Sequence, residues 1–138
     1  MMRRGEIWVA NLNPGRGREI SKIRPVLVIQ DDALTASGTP MIVVLPLSTQ
    51  VFPSFKRWRI TIPPRDRLLK PCQVVVDQPR ALDRDRFGDG PLTSLTAEEM
   101  AAVERSLKGV MGLLERHAAP CSTKHKRPPH RYVPAKQP

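Results

Sequence analysis

Histidine is missing from the first 116 residues of this 138-residue chain; His117, His125 and His130 all fall in the last 22. A core metal centre built on imidazole is therefore improbable, and acid–base catalysis by paired imidazoles is excluded from the core. Cysteine is equally sparse. Cys72 lies in an apolar stretch and Cys121 in a polar, proline-rich one, so the two thiols offer neither a disulfide framework nor metal-ligand spacing. No apolar run approaches the roughly 18–20 residues of a membrane span, and MMRRGEIW at the start lacks the apolar centre of a signal peptide. A soluble, cytoplasmic protein with no membrane partner is expected. Aromatic residues make up only 4% of the chain, and no stacking platform is visible, which ranks a general RNA-binding protein last among the readings. Also absent are a glycine-rich loop ending in Lys-Ser/Thr, a GxSxG elbow and an HExxH helix, so nucleotide-binding and common hydrolase sites are unsupported.

Positive charge is plentiful. The 23 Lys+Arg against 13 Asp+Glu give a formal +10, which favours a polyanionic partner such as nucleic acid or an acidic protein. The excess is uneven: residues 1–115 carry 17 basic and 13 acidic residues (+4), and residues 116–138 carry 6 basic and none acidic (+6). The segment 116–138 also holds 5 of the 15 prolines and too few apolar residues to offset the entropy of ordering. It is read as a disordered basic tail beyond a single domain over 1–115, either an electrostatic arm or a solvated extension.

The first 80 residues read as strands, because β-branched runs recur between Pro, Gly and Asp punctuation. EIWVANL at 6–12, IRPVLVIQ at 23–30, MIVVLPL at 41–47, KRWRITI at 56–62 and CQVVVDQ at 72–78 leave little room for crossover helices. Neighbours should pair antiparallel and curl into a small barrel, giving a mainly β chain with helices (α+β). In the fourth strand Trp58, Ile60 and Ile62 alternate with Arg57, Arg59 and Thr61, so Trp58 is expected to plug the barrel while the arginines face out. One helix closes the domain: Thr96 and Glu99 form a capping box, and Met100, Val103, Leu107, Met111 and Leu114 make an apolar stripe. A shorter helical turn is expected from Asp83, ahead of a break at Gly88–Gly90.

The remaining chemistry is that of Arg, hydroxyl and carboxylate. It is sufficient for cleaving RNA, because the 2′-hydroxyl is already placed beside the scissile phosphorus and the protein need only stabilise charge on the phosphorane. Arg24 opens the apolar strand IRPVLVI behind the glycine-rich segment; it is a site residue or an ordinary edge-strand arginine before Pro25. Ser48 and Thr49 end a strand, where a hydroxyl pair serves as a phosphate donor or as turn residues. Asp77, with Gln78 and Arg80, closes the fifth strand, as a general base or as a carboxylate bonding the turn at Pro79.

Taken together, RGEIWVANLNPGRGREISKIRPVLVIQ at 4–30, PLSTQ at 46–50 and DQPRALD at 77–83 resemble the MazF/PemK family of toxin endoribonucleases. Members open on RGEIW or a close variant, follow with a glycine-bearing acidic loop and RPVLV, end a strand on P-x-T/S-T/S, and carry a DQ-x-R-x-I/L-D stretch. The final helix matches as well, so the resemblance covers about residues 3–115 and leaves the tail outside.

The resemblance implies an SH3-like barrel of the CcdB/PemK/MazF type with a C-terminal amphipathic helix. It implies the toxin of a type II toxin-antitoxin system: a homodimer that cuts single-stranded RNA at short sequences without metal or other cofactor, leaving 2′,3′-cyclic phosphate and 5′-hydroxyl ends. An acidic antitoxin that covers the RNA surface is implied, with DNA binding by the toxin–antitoxin pair. Residue by residue, Arg24 takes the place of the phosphorane-stabilising arginine, Ser48 that of the strand-end hydroxyl with Thr49 beside it, and Asp77 that of the proton-shuttling aspartate. Arg18, Glu19 and Lys22 contribute from the loop, where Gly15 and Gly17 permit motion, with Gln78 and Arg80 in support. The chain departs from PemK-like members in carrying Val75 where they have an arginine two residues before the aspartate, and Arg18 before Glu19 where many have a histidine after the loop glycine. The competing reading is a non-catalytic toxin on the same barrel that occupies a protein target such as gyrase.

Overall fold

The computed structural model describes residues 2–50 and 59–114. The expectations for Lys56, Arg57 and the Trp58 plug, and for the basic tail and its boundary, lie outside the described residues. Among the described residues seven strands form one curled, half-barrel sheet: β1 (Glu6–Asn11), β2 (Ile23–Val28), β3 (Met41–Ser48), β4 (Ile60–Ile62), β5 (Cys72–Val74), β6 (Arg80–Asp83) and β7 (Phe87–Ser94). Their order is β4-β5-β3-β2-β1-β7, with β6 also on β3, and every pairing is antiparallel. Two helices complete it, α1 (Asp32–Ala36) and α2 (Ala97–Val110).

Both faces of the central strands are buried, which explains why VLV and MIVVLPL are nearly continuous apolar runs. Ile7, Leu27, Leu45, Leu47, Val74 and Ile62 form one core with Val103 of α2. Trp8, Ala10, Val26, Val28, Val44 and Leu82 form a second on the opposite face, where Trp8 meets Phe87 edge-on at 6.4 Å. Alternation holds in β4: Ile62 is buried and Thr61 exposed. Arg59 departs from the outward role expected of it. Only 16% of its side chain is exposed, and it pairs with Asp77 at 3.8 Å.

Five of the strands fall where the sequence places strands, the fifth shortened from 72–78 to Cys72–Val74 with Asp77 in the turn that follows, and two do not. β6 is four residues of RALD, too short and too charged for a pattern, and β7 (FGDGPLTS) contains the Gly88–Gly90 segment expected to break the chain. β7 is a strand because β1 offers it a free edge. It pairs there through two register shifts, with Pro91 opposite Trp8. Between β6 and β7 the expected turn is present as a single 3-10 turn over Arg84–Arg86, capped by the Asp83 side chain.

Helix α2 begins at the expected box: Glu99 N–H donates to Thr96 Oγ1 at 3.1 Å and Thr96 N–H to Glu99 Oε1 at 2.9 Å. It ends earlier than the apolar stripe. Gly112, at φ 72°, closes a Schellman motif in which Leu113 N–H donates to Lys108 O and Gly112 N–H to Gly109 O. Val103 is fully buried and Met100 and Leu107 pack partly against the core, whereas Met111 and Leu114, past the helix end, are exposed.

Glu99 has a second partner. Arg65 grips its carboxylate through both terminal nitrogens, at 2.6 and 2.9 Å, and also donates to Ser94 O at 2.8 Å. The Arg65 hydrogen bond, helped by those from Thr96, holds the Glu99 carboxyl below its ordinary value, and Glu99 in turn raises Arg65. A carboxylate lowered in the folded state contributes stability that is complete above the unfolded value of about 4.3 and is lost as pH falls through the folded value. Thermal melts from pH 7 to pH 3 should therefore show a smaller acid-side decline in Glu99→Gln than in the parent; equal declines would remove this pair from the acid response.

Candidate active site

The site is built around the β1–β2 loop, residues 12–22. Its base is tied from within the loop, Leu12 N–H donating to Lys22 O at 2.8 Å and Lys22 N–H to the side-chain Oδ1 of Asn13 at 3.0 Å. Four side chains then fasten it to the barrel. Arg80 Nη1 donates to Ile20 O at 3.0 Å and to Leu12 O at 3.4 Å, and Gln78 Oε1 accepts from Ile20 N–H at 3.0 Å. Arg86 Nη1 donates to the carbonyls of Asn11 and Asn13, and Arg24 Nε donates to Ser21 O at 2.8 Å. Gly15 matters for close approach: a Cβ there would stand 2.6 Å from Ser21 Cβ, so the two arms of the loop can close only on glycine.

Strand register brings the two principal candidates to one place. The β2–β3 ladder is paired at Val28↔Val44, Leu27↔Leu45 and Val26↔Pro46, so Arg24 and Ser48 each lie two residues beyond its last pair, at the same end of adjoining strands. Side chains two residues apart on a strand share a face, so Arg24 lies on the face of Val26 and Ser48 on that of its partner Pro46. Arg24 is half-buried, and among the described residues its two terminal amino groups make no hydrogen bond, since only Nε is engaged. Ser48 is 9% exposed; its Oγ accepts from Gln50 N–H at 3.1 Å, which leaves the hydroxyl proton to be donated. Ser48 also stands opposite the fully buried Gln73 of β5, and Thr49 is exposed beyond the strand.

The other candidates separate into two groups. Arg18 and Glu19 at the exposed loop tip line a cleft of about 350 Å³ with Gln78, Pro79 and Arg80. Lys22 is exposed at the base of the same loop. Asp77 precedes Gln78 of that cleft, and its carboxylate, 54% exposed, pairs with Arg59. Arg59 and Arg86 were not among the expected site residues. Arg86 reaches back 75 and 73 positions to its two acceptors, and no local pattern announces such a contact. Among the described residues no group of three His, Cys, Asp or Glu side chains is arranged to hold a metal ion.

A cleft lined by Arg18, Glu19, Gln78, Pro79 and Arg80, and an arginine and a hydroxyl at one end of adjoining strands, make an arrangement suited to a phosphodiester. Comparison with known proteins agrees. The family described as PemK-like, MazF-like toxin of type II toxin-antitoxin system matches residues 3–111. The chain is 30% identical over 112 residues to Endoribonuclease MazF9 of Mycobacterium tuberculosis, a span covering 78% of this chain and 94% of that protein. The crystal structure of MazF from Deinococcus radiodurans superposes with a TM-score of 0.66 at 25% identity, covering 79% of this chain and 94% of that one. A mycobacterial endoribonuclease solved in complex with its cognate antitoxin has the same fold, with a TM-score of 0.66 at 22% identity over 84% of this chain and all of the other. The chain belongs to the family of PemK-like, MazF-like toxins of type II toxin-antitoxin systems.

Proposed function

We propose that this toxin is a cytoplasmic, metal-independent endoribonuclease that cuts single-stranded RNA by internal transesterification. The observation that supports the reading is the β2–β3 ladder, whose last pair, Val26↔Pro46, lies two residues from Arg24 on one strand and from Ser48 on the other, so that both candidates stand at the same end of adjoining strands. In the reaction the substrate's 2′-oxygen attacks phosphorus, the P–O5′ bond breaks, and the 2′-hydroxyl proton is given up while the departing 5′-oxygen gains one. The products are a 2′,3′-cyclic phosphate and a 5′-hydroxyl. Arg24 stabilises charge on the phosphorane through its terminal amino groups, and Ser48 donates to a non-bridging oxygen, with Thr49 as its neighbour. Asp77, held by Arg59, is the carboxylate assigned to accept the 2′-proton. Arg18, Glu19, Gln78 and Arg80 bind the nucleotides that occupy the cleft.

A groove of this charge also suits the acidic antitoxin, which inhibits by competing with RNA for the same cations. Homodimerisation places two such grooves on a two-fold surface.

Incubation of the purified protein with total RNA in EDTA, followed by mapping of 5′-hydroxyl ends, tests the reading. New ends at a short recurring sequence are expected, and their absence would sink it. Ser48→Ala should lower kcat/KM on the order of 100-fold, the usual loss for one oxyanion donor. A few-fold loss would take Ser48 out of the mechanism.

A further inference from the structure

Strand β5 is buried along its whole length, and Cys72 and Val74 meet that burial with apolar side chains, in the core of Leu47, Ile62 and Val103. Between them stands a glutamine. Gln73 is fully buried on the opposite face of the strand, and no buried side-chain nitrogen or oxygen among the described residues lacks a partner. An amide taken out of water is costly unless it is bonded, and a bonded one is held in place. An apolar side chain fills such space without that requirement, as Val75 and Val76 do in the next two positions.

Strand register shows what the amide faces. Gln73 is the direct partner of Ser48 on β3 and of Thr61 on β4, so the three side chains form a row across three strands. Cβ atoms of direct partners stand about 4.5–5.5 Å apart, close enough for a glutamine to pack on a serine. The row lies at the β3 end that adjoins Arg24, on the face that Ser48 shares with Pro46. Ser48 has little else to fix it. Among the described residues its Oγ makes one hydrogen bond, accepted from Gln50 N–H two positions along the chain, and a serine hydroxyl has three staggered wells to choose from.

We infer that Gln73 is a positioning residue for Ser48: a buried amide, too deep to touch RNA, that walls one side of the serine and keeps its hydroxyl in the rotamer that donates to phosphate. The inference rests on the endoribonuclease reading and adds to it a residue that shapes the site from behind.

A double-mutant cycle in kcat, on single-stranded RNA in EDTA, tests it. Gln73→Met keeps the length of the side chain and removes the amide. In the parent background it should lower kcat about 10-fold at unchanged KM, because the aim of a hydroxyl matters in the transition state rather than in binding. In the Ser48→Ala background it should lower kcat by less than about 2-fold, since no hydroxyl is left to aim. A residue serving only the fold would lower both backgrounds alike.

A parent rate in Gln73→Met would overturn the inference and leave the cleavage reading standing, and so would equal losses in the two backgrounds. If circular dichroism and a melt show Gln73→Met unfolded, Gln73→Asn, which keeps the amide and withdraws it by one methylene, takes its place in the cycle. A chain that folds with neither has its amide for stability alone, which rejects the inference. A Ser48→Ala loss of only a few-fold in a protein that cuts RNA removes Ser48, and Gln73 with it, from a nuclease that still stands. A parent that cuts no RNA sinks the nuclease reading itself, and the inference falls with it.

Discussion

Arg24→Ala is expected to lower kcat/KM for single-stranded RNA by at least about 1,000-fold, with the fold retained. The size follows from what the residue is assigned to do. Cleavage by the 2′-oxygen needs no protein nucleophile, so most of the protein's contribution is stabilisation of charge on phosphorus, and Arg24 is the guanidinium at the strand end that adjoins the end carrying Ser48. The structural loss is small by comparison. Arg24 Nε gives up one hydrogen bond to Ser21 O, part-buried and worth about 1 kcal/mol, and the strand keeps its pairing with β1 through Ala10↔Arg24. Far-UV circular dichroism and a melt establish the fold, and single-turnover cleavage in EDTA establishes the rate. Lys at this position should recover little, because an ammonium cannot hold the Ser21 carbonyl and two phosphate oxygens in one plane. Full activity in the alanine variant would remove Arg24 from the chemistry.

The second large effect is on the fold. Val103→Asp should leave no folded protein at 25 °C, whereas Val103→Ala should cost only about 2 kcal/mol. Val103 is fully buried, in the core of Ile7, Leu27, Leu45, Leu47 and Ile62. An aspartate there forfeits the roughly 1.5–3 kcal/mol of side-chain burial and adds the penalty of an unpaired buried carboxyl, several kcal/mol more. Set against a total stability of about 5–15 kcal/mol, that suffices to unfold the domain. Leu107, on the same stripe, is half-buried and sits nearer the helix end, so the corresponding change there finds water more readily. Solubility and chemical denaturation of the two Val103 variants test this. A cooperatively folded Val103→Asp protein would contradict the role given to α2 as the cover of that core.

Several features of this protein are carried by neighbours in the chain. The alternation in β4, the apolar runs of β2 and β3 and the Thr96–Glu99 box each depend on residues within a few positions, where period, propensity and capping chemistry suffice. Arg24 and Ser48 stand out in the sequence as candidates, because polar groups interrupt apolar strands there, and their roles are what the Arg24→Ala and Ser48→Ala measurements decide. Other features required the folded chain. β7 has glycine and proline where strand formers belong, and it is extended because β1 supplies the partner edge. The apolar stripe of α2 continued on paper through Met111 and Leu114, but left-handed Gly112 ended the helix first.

The loop over the cleft shows the difference most fully. Its glycines read as freedom of motion, yet Gly15 is needed for close packing against Ser21, and the loop base is fastened by Gln78, Arg80 and Arg86 from 58 to 75 positions away. Composition and motif established a basic barrel with an arginine and a hydroxyl at strand ends. Only strand pairing could bring those two strand ends side by side, and only long-range hydrogen bonds to loop carbonyls could fasten the base of the loop, because a pairing between distant segments leaves no periodic trace in either one.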